Sequence, residues 1–149
     1  MTLYADFFVA ELPDARKYPH EVDFAADDKA AFTGVSPIDL ARLCSIITHD
    51  PYELLGLRDF LKLSEDDNRT GEVLTPCPPW FVDAMRILSD QSIDFLASEW
   101  AQAEDISLNP TDCGPVLEAL RRLAGRAKFG KRLFLWNSTI SPITLHRIR

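Results

Sequence analysis

Residues 114–136 read GPVLEALRRLAGRAKFGKRLFLW. Val116, Leu117, Leu120, Leu123, Ala124 and Ala127 recur at the spacing that puts side chains on one stripe of an α-helix. The spacing predicts a helix from about Gly114 to Lys128, with Gly130 as a cap beyond its end. The character then changes. Leu133, Phe134, Leu135 and Trp136 form a short apolar run, and Arg132–Trp136 reads as a strand. A helix that gives way to a strand within a few residues points to helices packed on a sheet.

Further helices announce themselves by their starts. Ser36-Pro37-Ile38-Asp39 supplies an acceptor for orphan amides, a first residue with no amide, and a negative charge at the positive end of the helix dipole. The device recurs at Asp50-Pro51-Tyr52-Glu53 and at Asn109-Pro110-Thr111-Asp112. Helices are predicted over 37–48 and, briefly, 51–55, where Gly56 stops the helix. TPCPPW (75–80) opens another, running to about Leu88 with Phe81, Met85 and Leu88 on one side. Ser89-Asp90 breaks it. The next carries Ile93, Leu96, Trp100 and Ala103 on a stripe.

Leu3–Val9 is rich in aromatic and β-favouring residues and reads as a strand apolar on much of both faces, with Asp6 the exception. Residues 11–35 read as a long irregular region with a helical turn around Ala15–Tyr18. Leu57–Leu63 and Glu72–Thr75 are predicted to pair as a hairpin around the polar tip 64–71. The expectation is one α+β domain over residues 1–149, with about four helices packed on a small, mainly antiparallel sheet. An all-α arrangement with marginal strands is the alternative. Phe81, Met85, Leu96, Trp100, Leu117, Leu120 and Ala124 are expected in the core.

The chain has 149 residues, 46% of them hydrophobic and 26% charged. That length suits one domain, and the composition excludes a disordered chain, a collagen-like repeat and a disulfide scaffold. Cys44, Cys77 and Cys113 include no C-x-x-C pair, so free thiols in a reducing compartment are expected. The first basic residue is Arg16, and no secretory leader pattern precedes it. The longest apolar-rich stretch, 40–47, contains Arg42 and is too short to span a bilayer. A cytoplasmic location with no membrane partner is therefore expected.

Several motifs fail on their chemistry. Residues 125–131 (GRAKFGK) fit the G-x-x-x-x-G-K of a phosphate loop, but Arg132 replaces the hydroxyl that would hold magnesium. The loop also follows a helix, so carbonyls rather than amides would face it. Asp66, Asn68, Thr70 and Gly71 resemble half a calcium loop, yet Cys77 stands where a bidentate glutamate belongs. His20, His49 and His146 show no metal-pair spacing. Cys113 lies at a predicted helix start, where the dipole can lower a thiol pKa. A nucleophile also needs a base, and no histidine lies near it in sequence. A buried, inert cysteine is the commoner outcome. Neither a cofactor, a metal nor a catalytic residue is called for.

Charge is the remaining signal. The net charge is −7, but residues 1–112 hold 22 acids and eight bases, whereas residues 113–149 hold one acid and eight bases. Such asymmetry speaks about partners rather than fold. The balance points to a non-enzymatic, acidic protein-binding module for a basic protein, in the manner of an immunity or antitoxin protein, with Glu65, Asp66 and Asp67 as the partner-binding acids. Two readings compete. One is a small enzyme with a tertiary site built from Cys113 or scattered carboxylates. In the other, Arg121, Arg122, Arg126, Lys128, Lys131 and Arg132 form an anion site, or else neutralise acids within the fold. A pI near 4.9 weighs against nucleic acid.

Overall fold

A computed structural model describes residues 2–49, 64–67 and 70–147. Strand β1 (Tyr4–Ala10) turns Ala5, Phe7 and Val9 to one side and Tyr4, Asp6, Phe8 and Ala10 to the other, as the two-residue period of a strand requires. All but Tyr4 are buried, so both faces of the sheet are covered. The other strands are β2 (Lys29–Thr33), β3 (Glu65–Asp67), β4 (Glu72–Pro76) and β5 (Arg132–Ser138). They lie in the order β2-β1-β5-β4-β3, and every neighbouring pair is antiparallel. The register sets Phe7 opposite Leu135, Phe8 opposite Phe134, and Leu74 between Trp136 and Glu65.

Six described helices complete an α+β fold: α1 (Leu12–Ala15), α2 (Pro37–Thr48), α3 (Pro79–Arg86), α4 (Asp90–Ala101), α5 (Cys113–Ala124) and α6 (Pro142–Arg147). Helices α2 to α5 cover the face bearing Phe7, Val9, Leu133 and Leu135. All seven residues expected in the core are buried there. The opposite face, with Phe8, Phe134, Trp136 and Leu74, is covered by Ala15, Tyr18, Phe24 and Leu145, brought by the chain after β1 and by α6. No described helix is long and apolar enough to cross a membrane.

The Ser36 start works as its chemistry demands. Asp39 Oδ2 accepts from the Ser36 amide at 2.8 Å, and Ser36 Oγ accepts from the Asp39 amide. Asp39 is also fully buried, because Oδ1 accepts from the Ser107 amide and Oδ2 from the Ser107 hydroxyl, both at 2.7 Å. Trp100 Nε1 donates to the Asp39 carbonyl at 3.0 Å. One capping residue therefore clamps α2 to α4 and to the loop that follows α4.

Other expectations are corrected. The helix beginning at residue 114 starts one residue earlier and ends at Ala124, well short of Lys128. Beyond Gly125 the amides of Arg126 and Ala127 donate three rather than four residues back, to the carbonyls of Leu123 and Ala124, so the α-helical ladder gives way to tighter turns. Residues 29–33, read as irregular, form β2: its Lys-Ala-Ala-Phe-Thr carries weak strand propensity, and pairing with β1 organises it. Glu65–Asp67, read as a hairpin tip, is itself the strand that pairs with β4. The predicted strand at 57–63 and helix at 51–55 lie outside the described residues.

Candidate functional site

On the second sheet face, strand alternation places Glu65 and Asp67 of β3 on the same side as Glu72 and Leu74 of β4 and Trp136 of β5. Gly71, at φ 71°, supports the tight return between the two strands, and its amide donates to the Asp67 carbonyl at 2.8 Å. Helix α1 and the turn after it bring Arg16, Tyr18 and His20 over this face. The result is a cleft of about 450 Å³ lined by the acids Glu65, Asp66, Asp67 and Glu72, by Arg16 and His20, and by the nearly covered Tyr18, Leu74 and Trp136.

Glu72 is the hub of that cleft and is nearly buried. Its Oε1 accepts from Trp136 Nε1 at 3.1 Å. Its Oε2 accepts from the Thr70 hydroxyl at 2.6 Å and lies 2.7 Å from His20 Nε2. A buried carboxylate needs such partners, since an unsatisfied charge in a low-dielectric site is costly. At the rim, Arg16 clasps Glu65 through Nε and Nη2, the shortest contact being 2.7 Å. The guanidinium hydrogen bonds and charge hold the Glu65 carboxyl below the usual carboxylate range. At the base, the Tyr18 hydroxyl bonds to buried Asp6 Oδ2. Burial raises the Asp6 pKa, outweighing that bond and the charge of Lys29, which lower it. Burial, followed by the bond to Asp6, drives the Tyr18 hydroxyl well above its ordinary pKa, so it serves as a donor. Lys29 Nζ pairs with Asp23 at 2.7 Å and stands 5.7 Å from the Tyr18 ring centre.

Glu65 and Asp67 reach this cleft from the side their strand shares with Glu72, and Asp66 borders it from between them. The six basic candidates, in contrast, are divided. Arg121 pairs with Asp90 at 2.9 Å and donates to the Leu88 carbonyl. Arg122 donates to the carbonyls of Ala26, Asp27 and Lys29, fastening the approach to β2. Arg126 pairs with Asp28 at 2.6 Å. Lys128, Lys131 and Arg132 flank the turn between α5 and β5 and take no part in these three pairings. Cys113 is fully buried in the helical core. Burial, with Asp39 and Asp112 nearby, pushes its thiol up to about 11, against the dipole effect expected at a helix start. Cys44 and Cys77 are likewise buried, and no disulfide joins any of the three cysteines. No group of three or more His, Cys, Asp or Glu among the described residues could hold a metal ion.

Sequence reasoning found the acids of β3 but missed Tyr18, His20, Glu72 and Trp136. Their assembly depends on long-range strand pairing, and only one local signal pointed to it: Asp6 interrupting an otherwise apolar strand. Comparison of the chain with known protein families, with curated proteins and with solved structures finds no match.

Proposed function

We propose that the protein is an acidic protein-binding module whose cleft and β3 edge receive a basic partner protein, as an inhibitor of the immunity or antitoxin kind would. One observation carries the reading: Glu65, Asp67 and Glu72 share one side of the sheet and meet one guanidinium and one imidazole in the cleft. Such a cleft suits a cationic side chain, which gains carboxylate contacts there. Charge of this kind acts mainly on the rate of encounter and on the rejection of wrong partners. Arg121, Arg122 and Arg126 support the reading from the other side, because their internal pairings remove them as a competing anion site.

Titration with a nona-arginine peptide tests this. Association should be salt-sensitive, and E65K/D66K/D67K should weaken it about ten-fold or more, whereas E99K/E104K, also acidic and outside the cleft, should leave it nearly unchanged. Equal losses from both triple and double reversals would reduce the binding to non-specific attraction and overturn the reading.

The alternative reading, a small enzyme, draws support from the His20–Glu72 pair in the same cleft. A carboxylate braced by Trp136 and Thr70 orients an imidazole as acid–base chemistry requires. Cys113, on the opposite side of the sheet and protonated at neutral pH, offers nothing to that chemistry.

A further inference from the structure

The sheet ends in two edge strands of different character. β3 carries three consecutive acids, a charged edge of the kind that blunts strand pairing. β2 carries Lys29-Ala30-Ala31-Phe32-Thr33. The Gly34 amide donates to the Leu3 carbonyl at 2.8 Å, and this fixes the alternation of the β1–β2 ladder. Ala30 and Phe32 bond to β1, whereas Lys29, Ala31 and Thr33 turn their amides and carbonyls outward. Arg122 takes the Lys29 carbonyl. Ala31 and Thr33 each keep an outward amide and carbonyl with no hydrogen-bond partner among the described residues, and both residues are exposed. Lys29, the one charged residue of β2, is held by Asp23 at 2.7 Å.

Ala31 and Thr33 lie in a groove of about 560 Å³ that Asp6, Pro142, Ile143 and Asp112 also line. Asp6 is only 3% exposed, and just one of its oxygens is engaged: Oδ2 bonds to the Tyr18 hydroxyl, while Oδ1 has no hydrogen-bond partner among the described residues. Lys29 is near enough to act on Asp6 by charge, yet its ammonium is bonded to Asp23 instead. The Asp112 carboxylate makes no capping bond to α5. Asp6 stands directly opposite Ala31 in the register, on the same face of the sheet. Along that row only the Ala31 methyl group lies between Asp6 and the open edge. A residue on an added strand, opposite Ala31, would stand about 10 Å from Asp6, two strand spacings away. The four-carbon stem of a lysine, together with the aspartate side chain, spans that distance.

We propose that the β2 edge receives an extended segment of a partner protein as a sixth, antiparallel strand, and that a lysine or arginine of that segment, opposite Ala31, reaches across the methyl group to Oδ1 of Asp6. Main-chain bonds to Ala31 and Thr33 supply affinity, and the basic side chain fixes register and selects the segment. Charge decides the occupant. A second copy of this chain fits less well, because the one cation its β2 could bring is Lys29, whose ammonium is held by Asp23 and whose carbonyl is held by Arg122. The site lies at the opposite end of the sheet from the β3 cleft and stands independently of how that cleft is read.

The capped heptapeptide Thr-Thr-Val-Lys-Val-Thr-Thr, followed by fluorescence anisotropy and by amide hydrogen exchange, tests it. Its binding should protect the Ala31 and Thr33 amides. Norleucine in place of the peptide's lysine should weaken binding about ten-fold, through loss of one charge-assisted hydrogen bond. D6N should abolish the preference for lysine. A31I, which suits an exposed strand and fills the path to Asp6, should abolish it too while leaving the backbone pairing in place. A31P removes the outward amide and spares the β1 ladder, so it should weaken both peptides about ten-fold. E65K/D66K/D67K should leave binding unchanged. Equal binding of the two peptides to the wild-type chain overturns the proposal, as do unprotected Ala31 and Thr33 amides or an A31P variant that binds as the wild type does. A loss caused by E65K/D66K/D67K would move the peptide to the β3 cleft and overturn it as well. Edge amides protected without peptide, in a chain whose mass doubles with concentration, would assign the edge to a second copy instead.

Discussion

Phe7 and Phe8 are neighbours on β1, equally buried, and enter different kinds of interior. Phe7 meets Leu135, Phe32 and the helical layer, where the buried residues are almost all hydrocarbon. Phe8 meets Tyr18, Phe24 and Phe134, and beside them lie the carboxylates of Asp6 and Glu72 with their hydroxyl, indole and imidazole partners. The helical face can be held by area alone, since apolar burial is non-directional. The other face is held by paired polar groups, each of which restricts where its partner can sit. That face can keep an open, shaped cleft because its walls are tied by directional bonds rather than by close packing. The difference suggests a division of labour: one face supplies stability and the other positions chemistry.

The division is most directly broken by Trp100→Ala. Trp100 is fully buried in the helical layer and anchors α4 to Asp39. The substitution should cost about 3–5 kcal/mol through lost transfer energy and a residual cavity, read as a shift in the chemical denaturation midpoint. An unchanged midpoint would remove the helical face from its stabilising role.

A smaller effect is expected at the polar hub. Glu72→Ala would leave the Trp136 indole and the Thr70 hydroxyl without their acceptor, at about 1–3 kcal/mol for groups left unsatisfied in a buried place. It should also weaken nona-arginine binding, which Trp100→Ala should not do in the fraction that remains folded. A loss at Glu72 equal to that at Trp100 would erase the contrast between the faces.

The smallest effect is a change of slope with pH. Burial raises the folded-state pKa of Asp6 above its unfolded value, so folding favours the protonated acid. The stability that this proton contributes is complete below the unfolded pKa of about 4 and is lost as pH rises through the folded value. Asp6→Asn keeps an acceptor for Tyr18 and removes the titration. Urea midpoints of the wild-type chain, compared with the variant, should fall as pH rises above about 4, and parallel curves would show that Asp6 contributes no linkage.

Helices were the most legible part of the sequence, because their signals are local. Ser36-Pro37-Ile38-Asp39 announces α2, and the structure places its start and end at Pro37 and Thr48. The same logic was available for α6, since Ser141 precedes Pro142 and its hydroxyl accepts from the Thr144 amide at 3.2 Å, but the pattern there was overlooked. Strands were less legible. Glu65–Asp67 has poor strand propensity and becomes a strand only because β4 offers it an edge. The acids of the cleft could be read from charge alone. Their partners could not: His20 and Glu72 are far apart in sequence and meet only when the chain after β1 folds across β4. The basic candidates illustrate the same limit, because Arg122 and Arg126 are engaged by residues 26–29, nearly a hundred positions earlier.

The place of β1 in the sheet also sets a timetable. It pairs on one edge with β2, which follows closely, and on the other with β5, which is made more than a hundred residues later. Closing so long a loop is slow and gains nothing until both strands exist. At ribosomal rates of about 5–20 residues per second, the edge carrying Phe7 and Phe8 stays unpaired for on the order of ten seconds during synthesis. A short segment rich in aromatic residues, left open on one edge, is a template for pairing with another chain. An interior strand of the finished sheet is thus the earliest made and among the last secured, and its exposure is governed by the pace of translation.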